Sequence, residues 1–368
     1  MNNTLPLYPS VFDVEYDQWS KLLEDQPDYR IKQVWEGLYR SFTLPHELTS
    51  LPKALREKLI ELSPKALEVV SELKTDNMTT IKWLLRLHDS NQIETVLMRY
   101  NRRDTVCVST QVGCAMGCGF CATGQAGFFR QLSAGEIVEQ VFIASRRLRA
   151  LGANQRASNV VFMGMGEPLA NFAALIRAIG LMNREFAIGA RSFTVSTVGI
   201  APGIRRLAEV PIQVNLAVSL HAANDALRSS LLPINKSYPI SVLMEAINDY
   251  RSATNRRVSF EWAMMDSVND SDKDARELAE LALEVGAHIN LIPLNSTPGW
   301  PTSGSSLVRV HEFAYLLETL GCNVTIRSTR GAEIAAACGQ LANRNHVVGK
   351  ARRLPTSVTA FSDLTTSK

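Results

Sequence analysis

From residue 105 to residue 327 the chain alternates short apolar, β-branched runs with longer segments whose apolar residues recur at helical spacing. Runs at 105–110, 159–163, 192–198, 213–220, 258–264 and 288–294 read as strands. Each precedes a helical segment, at 133–151, 172–185, 202–209, 240–253, 272–285 and 307–320, and a strand-like run at 323–327 closes the series. Strands separated by a whole helix pair parallel, whereas strands joined by a tight turn pair antiparallel. Six such repeats predict an α/β fold, a partial (βα)6 barrel of the TIM type, with its chemistry on the loops at the C-terminal ends of the strands. Ser133 and Glu136 fit a capping box at the start of the first helix, where hydroxyl and carboxylate satisfy exposed backbone amides.

The barrel accounts for residues 104–345. Ahead of it, residues 1–75 show helical spacing at 16–23, 31–41 and 54–62, are broken by Pro27, Pro45, Pro52 and Pro64, and lack strand alternation, which predicts a small helical domain. Residues 76–103 hold strand-like runs at 80–87 and 93–99 with polar turns at 89–91 and 101–104, a β extension feeding the barrel. Residues 346–368, polar after Pro355, read as a flexible tail.

With 46% hydrophobic and 20% charged residues the chain has the composition of a globular protein with a sizeable core. Its start lacks a basic stretch followed by an apolar one, and no run nears the ~18 apolar residues of a membrane span, so a cytoplasmic protein is expected. A net charge of +3 is too mild to demand a polyanionic partner. The arginine pairs Arg102/Arg103, Arg146/Arg147 with Arg149, Arg205/Arg206, Arg256/Arg257 and Arg352/Arg353 either converge on one phosphate-binding face or mark solvated surfaces.

Of the six cysteines, Cys114, Cys118 and Cys121 fall within eight residues, an arrangement poorly suited to a disulfide framework and better suited to a metal. They form C-x3-C-x2-C in the loop after the first barrel strand, among small residues that let the backbone wrap closely. Iron–sulfur clusters normally take four cysteines. With three local thiols, one iron of a [4Fe–4S] cluster stays open and can chelate the amino and carboxylate groups of S-adenosylmethionine, whose reduction yields a radical. The competing reading is a zinc ion completed by a distant Cys or His, although structural zinc usually shows two separated pairs.

The triad, together with Gly164-Met165-Gly166-Glu167-Pro168, resembles the radical S-adenosylmethionine superfamily. The longer runs QVGCAMGCGFCATG, VVFMGMGEPL, STVGIAPGIRRLAE, LAVSLHAAND, NLIPLN and AACGQLA resemble, more narrowly, the RlmN family of RNA adenine methyltransferases, from about residue 10 to 345. The resemblance implies that the barrel is of the radical type and that the N-terminal helical segment is an accessory domain that helps grip RNA. It also implies methylation at carbon 2 of an adenine, an electrophilic position that a methyl-cation donor does not suit and a radical route does. In the family one S-adenosylmethionine methylates a cysteine, and a second supplies the radical that takes hydrogen from that methyl group.

By motif position Cys338 corresponds to the methyl-carrying cysteine, Cys107 to the cysteine that releases the product through a transient disulfide with Cys338, and Glu94 to the acceptor of the ring proton. Gly166 and Glu167 correspond to contacts with the amino group of S-adenosylmethionine, and Ser196, Ser219, Leu220, His221 and Asn295 to its other contacts. Without the resemblance, Cys338 reads as a small buried hydrophobe on an Ala-rich helix, Cys107 as a buried strand cysteine, Glu94 as a solvated strand-edge carboxylate and His221 as a structural histidine. Glu94 and Val96 share one strand face, and a carboxylate turned inward among apolar neighbours has a raised pKa, useful for a base. Cys322 matches no role and reads as structural.

The partners implied are 23S rRNA, a tRNA adenosine beside the anticodon, and an electron donor such as flavodoxin or ferredoxin, with a monomeric enzyme and no membrane. Two alternatives stand beside this reading. One is methylation at carbon 8, as in Cfr enzymes, although Glu167-Pro168-Leu169, His221-Ala222-Ala223-Asn224 and Leu291-Ile292-Pro293-Leu294-Asn295 look more like RlmN. The other is a non-catalytic RNA-binding protein with a structural metal, which leaves the coincidence of Cys107, Glu94 and Cys338 with family positions unexplained.

Overall fold

The computed structural model describes residues 8–62, 67–152, 156–297, 299–327, 331–337 and 339–341. Three helices open the chain, α1 (Tyr16–Leu22), α2 (Asp28–Tyr39) and α3 (Lys53–Leu62), after a 3-10 turn at Val11–Asp13. An antiparallel ladder follows, made of β1 (Glu68–Lys74), β2 (Thr80–Arg86), β3 (Gln92–Tyr100) and β4 (Arg103–Cys107). The next loop folds into a two-stranded sheet, β5 (Gln111–Gly113) with β6 (Phe128–Gln131), which encloses α4 (Ala122–Ala126). Strands and helices then alternate through α5 (Ala134–Ala150), β7 (Asn159–Phe162), α6 (Phe172–Arg184), β8 (Phe193–Thr197), α7 (Ala201–Ala208) and β9 (Asn215–Ser219). After β9 come α8 (Asp225–Leu231), α9 (Ile240–Thr254), β10 (Val258–Met264), α10 (Asp272–Glu284), β11 (His288–Pro293), α11 (Leu307–Thr319) and β12 (Asn323–Ile326).

The main sheet runs β1-β2-β3-β4-β7-β8-β9-β10-β11-β12, antiparallel as far as β4 and parallel from β4 onward. It is the open, partial (βα)6 barrel with a closing strand that the alternation predicts, and β1 and β12 are its edges. Strand alternation divides its residues between two environments. Val106, Val160, Val195, Val218 and Phe260 are fully buried, while their neighbours Cys107, Val161, Ser196, Ser219 and Glu261 line a central cavity.

The helical reading of residues 1–75 requires one correction, because Glu68–Lys74 is a strand paired with β2. As an edge strand with exposed residues on both faces it has no buried side to impose an apolar alternation, so ladder hydrogen bonds rather than patterning hold it. The N-terminal helices dock on the outer face of α5 and α6. Asp13 accepts from Gly135 N (2.7 Å) and the Ser133 hydroxyl (2.6 Å), and Ser133 and Glu136 form the expected capping box. Phe12 packs on Phe142, Arg146 pairs with Glu47, and the Trp35 indole donates to Glu185. Covered on both sides, α5 is buried almost all round, and Glu139 on it is buried with bonds from Ser10 Oγ (2.5 Å) and Leu67 N (2.7 Å).

No described helix is long and apolar enough to cross a membrane. The described arginine pairs do not converge. Arg146 and Arg147 pair with Glu47 and Glu72, Arg205 with Glu245 and Asp249, and Arg103 lines the cavity. Arg256 and Arg257, with Arg251, line a separate polar cleft ahead of β10, at the opposite end of the strands. Arg352 and Arg353 lie outside the described residues.

Candidate active site

A cavity of about 410 Å³ opens at the C-terminal ends of the parallel strands. Cys107, Cys114, Cys118, Cys121, Gly166, Glu167, Ser196, Ser219, His221 and Asn295 all line it, drawn from strand ends or the loops that follow them. Leu220 does not. Its side chain is buried in the core, its amide donates to Glu261 O (3.1 Å), and its carbonyl accepts from the buried Arg228. Cys338 lies outside the described residues, but its neighbours Ala337 and Gly339 line the same cavity.

The cysteine loop is shaped by close backbone approach. Gly113 has φ +75°, and a Cβ there would stand 1.9 Å from Gly127 O, so the β5–β6 turn that presents Cys114 admits only glycine. Cys114 N bonds Gly127 O (2.9 Å), and Cys121 N bonds Cys118 O (3.2 Å). A Cβ on Gly124 would meet Cys118 O at 2.8 Å. Burial pushes the Cys114 and Cys118 thiols up, so they ionise only where a positive centre offsets that burial. Among the described residues no three His, Cys, Asp or Glu stand close enough to share one metal ion. A polynuclear cluster offers an iron to each thiolate and needs no such convergence. Three thiols along one cavity, Cys118 buried and Cys114 and Cys121 half-buried, fit a cluster.

Beside that loop, its amide donating to Gln111 Oε1 (2.8 Å), Glu167 is 2% exposed, and its carboxylate accepts from Leu169 N (3.0 Å) and Val198 N (2.9 Å). Burial raises its pKa to about 7 against these bonds. The side chain thereby ties the ends of β7 and β8 together, and Gly166, at φ +102°, passes so near Gln111 that a Cβ would clash at 2.5 Å. His221 is buried and its pKa falls to about 3 through desolvation. Its Nδ1 accepts from Ala263 N (3.0 Å), which assigns the ring proton to Nε2, and the ring meets Phe120 edge-on at 5.0 Å.

Glu94 is buried at 7% exposure on β3, on the face that carries the cavity-lining Val96 and Met98, but it is not itself among the lining residues. Its surroundings are not the apolar ones expected. Lys82 on β2 holds Glu94 Oε1 at 2.9 Å, and the same ammonium donates to Ala335 O at 3.0 Å. Reading the sequence missed Lys82, although a lysine inside the apolar run Ile81-Lys82-Trp83-Leu84 carried a signal. The segment around Cys338 is thus tethered on one side by Lys82. On the other it is tethered by α4, through Ala122 N to Gly339 O (2.8 Å) and Thr123 Oγ1 to Leu341 O (2.6 Å). Cys322 is buried against Ala279 O, as a structural thiol would be.

The family model of the Radical SAM superfamily matches residues 108–279, which span the cysteine loop and the cavity strands to α10, and membership implies a [4Fe–4S] cluster and S-adenosylmethionine. A Chloroflexus aurantiacus protein named probable dual-specificity RNA methyltransferase RlmN is 46% identical over 92% of this chain and 93% of that protein. One from Roseiflexus castenholzii with the same name is 44% identical over 91% of this chain and 96% of its own. The crystal structure of a radical SAM methyltransferase from Sphaerobacter thermophilus superposes with a TM-score of 0.87 at 47% identity, covering 91% of this chain and 99% of that one. With relatives this similar over nearly its whole length and a cavity built around the three-thiol loop, the chain belongs to the RlmN family of radical SAM methyltransferases.

Proposed function

We infer that this enzyme, an RNA methyltransferase by family, methylates carbon 2 of an adenosine in 23S rRNA and of the adenosine beside the anticodon in a subset of tRNAs. The observation that carries the reading is that one cavity gathers the cysteine loop, Cys107 and the residues on either side of Cys338, which lie more than 200 positions apart in the chain.

Cys114, Cys118 and Cys121 hold one cluster, and Gly166, Glu167, Ser196, Ser219, His221 and Asn295 seat S-adenosylmethionine, His221 in its neutral form, whereas Leu220, turned into the core, takes no part. When bound, the cluster and S-adenosylmethionine supply a carbon-centred radical able to remove a hydrogen atom. Cys338 carries the methyl group destined for the ring. Cys107, the last residue of β4, attacks the Cys338 sulfur as a thiolate; the bond from that sulfur to the product carbon breaks, its electron pair leaves with the carbon, which takes up a proton, and the disulfide left behind must be reduced before the next cycle. Glu94 takes the proton from carbon 2, and Lys82 holds its carboxylate in place. Two S-adenosylmethionine molecules are consumed per methyl group, electrons come from a donor such as flavodoxin or ferredoxin, and the enzyme works as a monomer in the cytoplasm. The N-terminal helices serve as the accessory unit that grips RNA.

Mass spectrometry of nucleosides from 23S rRNA and tRNA incubated with the reconstituted protein tests the reading. The expected product is 2-methyladenosine; 8-methyladenosine would move the enzyme to the Cfr type, and an unmodified adenosine would leave only RNA binding.

A further inference from the structure

On the cavity floor, three polar side chains with no part in the reading above extend a row that begins at Ser219. Ser219 on β9, Glu261 on β10, Asn290 on β11 and Thr325 on β12 stand in register across four neighbouring strands, so alternation turns all four to the same side. Glu261 is the charged member and is 4% exposed. Its Oε1 accepts from Ser259 Oγ (2.9 Å) and Asn290 Nδ2 (2.8 Å). Its Oε2 is buried and has no hydrogen-bond partner. Glu261 and Ser219 line the cavity and Asn290 does not, so the asparagine braces the carboxylate from behind. Burial raises the carboxyl pKa, and the Arg327 guanidinium, also at the cavity, pulls it back toward the ionised form. A buried acceptor with one oxygen saturated and the other empty is costly unless something else supplies the donor.

We propose that Glu261 recognises the nucleoside of S-adenosylmethionine, its second carboxylate oxygen accepting a hydrogen bond from a ribose hydroxyl or from the 6-amino group. The substrate adenosine offers the same donors, but position separates the two sources. Glu261 lies three residues before the end of β10, inside the cavity and level with Ser219, the last residue of β9, which is assigned above to S-adenosylmethionine. A free nucleoside can reach that depth, whereas an adenosine within an RNA strand enters from the mouth with its phosphates outside. The inference rests on the cofactor implied by family membership.

Equilibrium dialysis with anaerobically reconstituted full-length enzyme tests it. S-Adenosylmethionine should bind Glu261→Ala about tenfold or more weakly than wild type, Glu261→Gln should keep part of the affinity through its amide oxygen, and iron content should match wild type. Analogues lacking the 2′-hydroxyl, the 3′-hydroxyl or the amino hydrogens locate the donor, since wild type should discriminate against one of them and Glu261→Ala against none. Unchanged S-adenosylmethionine affinity in Glu261→Ala would overturn the proposal, as would a loss confined to an adenosine-containing RNA fragment. If Glu261→Ala does not retain iron, Glu261→Gln and the analogue series on wild type decide the question. A wild-type enzyme that holds iron but binds no S-adenosylmethionine would defeat the cofactor reading itself, an outcome distinct from equal binding by wild type and variant.

Discussion

The two walls of the cavity are built in opposite ways. The cysteine wall is local: its three thiols span eight residues of one loop, shaped by glycines and backbone hydrogen bonds. The other wall is assembled from β3, β4 and the segment after β12, with β2 behind them, where a single ammonium, Lys82, joins Glu94 to Ala335, 253 positions from the lysine. A local wall can fail on its own, whereas an assembled wall fails wherever one of its long-range links is cut.

The sharpest way to break that comparison is at the local wall. Cys118→Ala should take reconstituted protein from about four irons per chain to fewer than one and abolish methylation, with the far-ultraviolet circular dichroism unchanged. A stoichiometric zinc ion in wild type would instead defeat the cluster reading. Lys82→Met probes the assembled wall. Leaving Glu94 buried without its cation should destabilise the fold by about 3 kcal/mol, read from denaturant midpoints, and lower turnover about a hundredfold, while iron content stays at the wild-type level. Lys82→Arg should recover part of the turnover, and full turnover in Lys82→Met would remove the lysine from the site.

The smallest effect belongs to neither wall. Burial raises the Glu139 pKa from 4.5 to about 7, so between those values the native state holds a proton that the unfolded chain releases. Stability from this group is therefore complete below 4.5 and is lost as the pH rises through about 7. Glu139→Gln should shrink the difference in denaturant midpoint between about pH 5 and about pH 8 relative to wild type, with iron content and turnover unaffected. An unchanged difference would show that Glu139 does not titrate in that window.

The same contrast explains what could be read from the amino-acid string. The cysteine wall was legible because its chemistry is contiguous, and the barrel because strand and helix periodicities alternate cleanly. Glu94, Cys107 and Cys338 were named only through family resemblance, since what brings the strands of Glu94 and Cys107 side by side is strand order, which no local pattern carries. Lys82 and Glu261 went unread for a related reason: a charged residue inside a strand signals a surface unless the partner that buries it is known, and Asn290 and Ala335 lie 29 and 253 positions away. The sheet of β5 and β6 hid inside a glycine-rich loop, and β1 hid because water on both faces leaves no alternation to detect.

The tethers on either side of Cys338 also set an order of events in folding. Lys82 to Ala335 and Thr123 to Leu341 close loops of 253 and 218 residues, and contacts of such separation form only after the intervening repeats have condensed. The cysteine loop, by contrast, can organise as soon as β4, β5 and β6 have met. A folding chain therefore acquires its three-cysteine loop well before it acquires the tethers on either side of residue 338, so the two ends of the cavity's chemistry are brought together only by the last contacts to form.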